Sequence, residues 1–162
     1  MRYVLALLAL AGLIVSSLAL HVHNMDPSLA PPCAVDGHWD CGAVNHSRFA
    51  VFPPRVVGED DHSGKLHIPV ATLGIAAYTI LLVLSLLGRF VWVRQLAIVG
   101  FMAAATLSYI EAYVMETWCI YCVWSQAIIT VLLATATIAV WLDSRREKPY
   151  RIGGRRHVAD AD

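Results

Sequence analysis

The sequence is poor in charge. Lysine, arginine, aspartate and glutamate make up 15% of its 162 residues, against 58% hydrophobic residues. That balance excludes a soluble globule and fits a chain largely dissolved in lipid. Neither sign of charge prevails, with twelve basic and twelve acidic residues. No pull toward nucleic acid is implied. There is no internal repeat and no low-complexity segment, and the length suits one domain. No histidine follows Cys122, so c-type haem attachment is excluded. Cys33, His38, Cys41 and His46 do not follow a common zinc spacing, and no metal site is expected.

What is present begins with four apolar runs: Tyr3 to Leu20, Ile68 to Leu87, Leu96 to Met115 and Trp118 to Leu142. A helix needs about 20 residues to cross a hydrocarbon core of about 30 Å. In lipid the backbone must satisfy its own hydrogen bonds, so the runs read as helices. The expected fold is an all-α integral membrane four-helix bundle over residues 1–145, with a basic tail at 146–162. Arg2 and Ser17-Leu18-Ala19 also give the first run the form of a cleavable signal. Its long apolar stretch favours a retained span.

Orientation follows from basic residues. Arg2, Arg89, Arg94 and six residues from Arg145 to Arg156 fall on one side of an even number of spans. Arg48, Arg55 and Lys65 fall on the other. Both termini are therefore expected in the cytoplasm of a plasma membrane protein, and the basic tail can meet anionic lipid. A long loop, His21 to His67, lies outside, with a short outer turn near Glu116 and Thr117. Within the loop, Asn45 to Ala50 suits a short helix stopped by Pro53-Pro54. Val57 to Lys65 suits a surface turn. Pro69 suits the first turn of the second span.

All four cysteines then lie at the outer face, where disulfides persist. Cys33 and Cys41 flank Gly37 in the loop. Cys119 and Cys122 form a C-x-x-C motif at the start of the fourth span. In a first helical turn its thiols meet unpaired N–H groups and the positive end of the helix dipole, which favours the reactive thiolate. Cys119 is expected to be the water-facing nucleophile and Cys122 the lipid-facing sulfur, an arrangement suited to passing electrons to a lipid-soluble acceptor. Cys119, Cys122 and Gln126 fall on one helix face, and Gln126 is suited to bond a quinone carbonyl or a neighbouring helix. Glu111, an ionisable residue inside the third span, is a candidate proton acceptor.

Taken together, the sequence resembles the vitamin K epoxide reductase family in its bacterial form. The features are Cys33-x7-Cys41, Ser47-Arg48-Phe49, the Ile-Pro-Val-Ala-Thr-Leu-Gly stretch from Ile68, and Trp118-Cys-Ile-Tyr-Cys. The resemblance implies a four-helix bundle around a quinone, ubiquinone or menaquinone, and electron flow to it from a separate thioredoxin-fold partner. It implies that Cys33 meets the partner, Cys41 relays to Cys119, Cys122 lies against the quinone and Ser47 sits above it. Val70 and Gln126 stand where the animal enzymes carry asparagine and tyrosine near the quinone oxygens. The sequence leaves four rivals: vitamin K epoxide reduction proper; the other four-helix family of quinone-coupled disulfide generators, in which the order of the two cysteine pairs is reversed; a structural four-span protein with a loop disulfide; and a membrane metal-binding protein.

Overall fold

The structure, a computed structural model, describes residues 1–26, 38–55 and 67–147. Cys33, the turn at Val57 to Lys65 and the tail from residue 148 lie outside the described residues.

Four long helices dominate. Helix α1 (Arg2–His23) is followed by a short α2 (Cys41–Asn45) and a strand pair, β1 (Val51–Phe52) with β2 (Ile68–Pro69). Then come α3 (Val70–Leu86), α4 (Phe90–Ile110) with a π-helical turn at Glu111–Met115, and α5 (Ile120–Glu147). Helix α1 packs on α3 and α5, and α4 packs on α5 and α3, so the long helices close a ring. Three of them, α1, α4 with its π turn, and α5, are long and apolar enough to cross a membrane. Helix α3 is equally apolar but has 17 residues, about 25 Å of helix. The run from Ile68 to Leu87 loses its first two residues to strand β2.

The packing follows from small residues. Helix α1 turns Leu5, Ala9, Gly12 and Ser16 inward, a helical stripe, while Leu7, Leu10, Ile14 and Leu18 point outward. Small residues let helix backbones approach where lipid gives no hydrophobic drive to associate. The Tyr78 ring of α3 lies on Gly12, so tightly that an added Cβ would collide with it. The Tyr78 hydroxyl reaches α5, donating to the Ser125 carbonyl at 3.1 Å. One tyrosine thus ties three helices together. Gly12→Leu is expected to destabilise the bundle by about 2 kcal/mol or more, read as a lower melting temperature in detergent. Gly12→Ala should do less harm, and an unchanged melt for leucine would contradict this packing.

Helices α3 and α4 turn back through Leu87, Gly88 and Arg89. Gly88 has φ +69°, the left-handed conformation that ends helices. Arg89 N–H donates to the Leu84 carbonyl at 3.0 Å and closes that turn.

Four expectations need correction. The third long helix starts at Phe90, not Leu96, and Arg94 lies inside it. The apolar Phe90, Val91, Trp92 and Val93 extend the helix ahead of Arg94. The loop helix is Cys41–Asn45, not Asn45 to Ala50, because Asp40 caps it, accepting from Ala43 N–H at 2.9 Å. Pro69 is the residue before α3, inside a strand. The architecture is therefore helical with a small antiparallel pair, Val51 opposite Pro69 and Phe52 opposite Ile68.

Candidate active site

Backbone hydrogen bonds bring the loop to the start of α5. Asp40 N–H donates to the Trp118 carbonyl at 3.1 Å, and Trp118 N–H donates to the His38 carbonyl at 2.8 Å. The Trp39 and Trp118 rings lie 6.4 Å apart beside this bridge. Because α2 starts right after it, Cys41 is delivered to Cys119. Both cysteines are fully buried and share one cluster with Val44. The end of α1 holds the far side of the loop: His23 Nδ1 meets the Asn45 carbonyl, and the His46 ring meets the Met25 and Gly42 carbonyls at 3.0 and 2.9 Å.

Cys41 is disulfide-bonded, while Cys119 and Cys122 are free thiols. Cys119 precedes the first residue of α5, and its carbonyl accepts Val123 N–H at 3.1 Å. It therefore occupies the cap position of the helix, outside the span. Its thiol is held below the ordinary range. The chief cause is hydrogen bonding from Cys122, helped by backbone N–H groups of Cys122 and Tyr121 and opposed by burial and Glu111. A second donor comes from the loop: Asn45 Nδ2 lies 3.5 Å from the Cys119 sulfur and 2.8 Å from the Cys41 carbonyl oxygen.

Glu111 is the next contributor. It is 2% exposed and opens the π-helical turn that ends α4. Single π turns inside helices recur at functional sites. Its carboxylate accepts Cys119 N–H at 3.1 Å and meets the Cys122 thiol. The chain leaves the turn through Glu116, at φ 53°, and Thr117 N–H returns to the Glu111 carbonyl at 3.2 Å.

Beside this cluster opens a small, half-open cleft. The loop contributes Val44, Ser47, Phe49 and Ala50 to its wall; the helices contribute Val70, Leu107, Ile110, Glu111, Met115 and Cys122. The strand pair, with Val70 N–H on the Ala50 carbonyl at 2.8 Å, holds the loop wall over the start of α3. Ser47, Glu111 and Cys122 are the polar points of an otherwise apolar lining.

The structure thus brings together Cys41, Cys119, Cys122, Glu111, Ser47 and Val70. Cys33 lies outside the described residues. Gln126 is not on the cleft wall, and its Oε1 is buried with no hydrogen-bond partner among the described residues. The expectation of a water-facing Cys119 is overturned. Cys119 is wholly covered by the loop, and Cys122 is the sulfur on the cleft. The contribution of Asn45 escaped the sequence reading. Its spacing from Cys41, one helical turn, was the available signal.

Residues 3–137 match the model of a family described as the vitamin K epoxide reductase family. No curated protein matches the chain.

Proposed function

The chain belongs to the vitamin K epoxide reductase family, a family of membrane redox enzymes, and from that premise we propose that it is a quinone-dependent thiol–disulfide oxidoreductase. It passes electrons from a thioredoxin-fold partner outside the plasma membrane to ubiquinone or menaquinone, and so sustains disulfide formation. One observation carries the reading: Cys41 is buried against Cys119, and Cys122 faces an apolar cleft. A relay from protein thiols to a lipid-soluble acceptor needs that sequence of sulfurs.

The cleft suits a quinone head. Its apolar lining matches a planar ring on an isoprenoid tail. Val70, Leu107, Ile110 and Met115 would hold the ring, with the Ser47 hydroxyl available to its oxygens. A bound quinone supplies a two-electron, two-proton acceptor for the pair released when Cys119 and Cys122 close to a disulfide.

The rest is the chain's own work. The partner's dithiol reduces the loop disulfide that includes Cys41. The Cys41 thiolate attacks the Cys119 sulfur of the Cys119–Cys122 bond; a Cys41–Cys119 bond forms, and Cys122 leaves as a thiolate that takes its proton from Glu111. Helix N–H groups and the Cys122 thiol receive charge at Cys119 without reorganisation. Glu111, touching the Cys122 thiol, holds the proton as that thiol is used.

Four spans follow if α3 crosses as the shortest, which a locally thinned bilayer or flanking residues accommodate at modest cost. Both termini are then cytoplasmic and the cysteines extracytoplasmic. The test is quinone absorbance in detergent with a dithiol as donor. Turnover by the wild-type protein that needs the cysteines supports the reading, and cysteine-independent or absent turnover defeats it. A structural role for the loop disulfide alone would leave the assay silent.

A further inference from the structure

We propose that Asn45 is a catalytic residue of the exchange between Cys41 and Cys119, donating its side-chain amide to the Cys119 sulfur as that sulfur leaves. The inference deepens the proposed function and rests on it. The geometry is specific. Asn45 is buried at the end of α2, in the same shell as the two sulfurs. A side-chain amide has two N–H donors. One reaches the Cys41 carbonyl at 2.8 Å, and the Cys119 sulfur lies 3.5 Å from the same nitrogen. A purely structural asparagine would need the first bond alone, to close the short helix.

The chemistry calls for the second. When Cys41 and Cys119 are joined, an incoming thiolate attacks the Cys41 sulfur. A new disulfide forms at Cys41, the Cys41–Cys119 bond breaks, and the electron pair departs on Cys119. Charge is conserved and no outside oxidant enters. Cys119 has no exposure to water, so its leaving thiolate depends on protein donors. Tyr121 N–H, Cys122 N–H and the Cys122 thiol come from its own helix. Asn45 comes from the loop. Its bond exists when α2 is docked, which couples leaving-group stabilisation to the presence of the loop.

Among the described residues, the titratable groups facing Cys119 are Cys122 on α5 and Glu111 on the π turn, with the disulfide-bonded Cys41 beside it. His23 and His46 flank Asn45 but bond backbone carbonyls. Asn45→Ala and Asn45→Asp leave all of these in place. The experiment is alkylation of Cys119 by iodoacetamide across pH, followed by peptide mass spectrometry, on the full chain in detergent. Burial slows the reagent at every pH alike, so the midpoint of the profile reads the thiolate. Asn45→Ala should raise the midpoint by about one pH unit. Asn45→Asp, which keeps the volume and replaces the donor with an acceptor, should raise it further. It also guards against a variant that merely loosens α2. Midpoints that overlay the wild type in both variants would overturn the proposal. Alkylation needs no quinone, so failure here is separate from failure of quinone turnover in the wild-type protein.

Discussion

Cys122→Ser is expected to cut quinone-coupled thiol oxidation below about one thousandth of wild type. Of the three described cysteines, Cys122 is the one on the cleft wall, while Cys41 and Cys119 are wholly buried beside it. Serine keeps the shape and a hydroxyl, but it neither forms a disulfide with Cys119 nor carries an electron pair out. The relay should therefore stop one step short. Cys119 can still attack the disulfide at Cys41, so a Cys41–Cys119 bond should accumulate and be found as a crosslinked peptide. Quinone reduction above a tenth of wild type in this variant would show that electrons leave by another route.

Glu111→Gln is expected to slow turnover about a hundredfold, the ordinary scale of a lost general acid or base, with little change in the quinone KM. Glutamine fills the same space, and its carbonyl oxygen can still accept the Cys119 N–H now held at 3.1 Å. It cannot take or return a proton at Cys122. A structural role would be preserved by this substitution and would instead be lost in Glu111→Ala, with a fall in melting temperature. Wild-type turnover in Glu111→Gln would remove Glu111 from the proton route while leaving its place as a cap on Cys119.

Much of this site was legible in the sequence because each part has a local signature. The apolar runs follow from the needs of a lipid-bound backbone, and the C-x-x-C motif lies where a helix begins. Glu111 stands out because a carboxylate among apolar residues is costly. What was not legible depends on contacts between distant segments. Cys119 reads as water-facing when only its helix is considered. It is buried because His38 and Asp40 bond Trp118 and lay α2 across it. Asn45 matters through the same docking. Gln126 shares a helix face with Cys119 and Cys122 by spacing, yet the cleft opens toward α4 and the loop, and its wall does not include Gln126. By its charge Arg94 belongs between the second and third spans, yet α4 begins at Phe90 and contains it.

The central claim is that thiols and quinone exchange electrons through these cysteines in a fixed ratio. It is tested most directly by fully reducing the purified protein, removing the reductant and adding excess quinone without oxygen. Quinone consumed and thiols lost are then counted per chain. The account predicts two quinones consumed for the four cysteines, with all thiols lost, and one quinone in Cys41→Ser, where the helix pair alone is left to react. No quinone consumed, or consumption without matching loss of thiols, would contradict it.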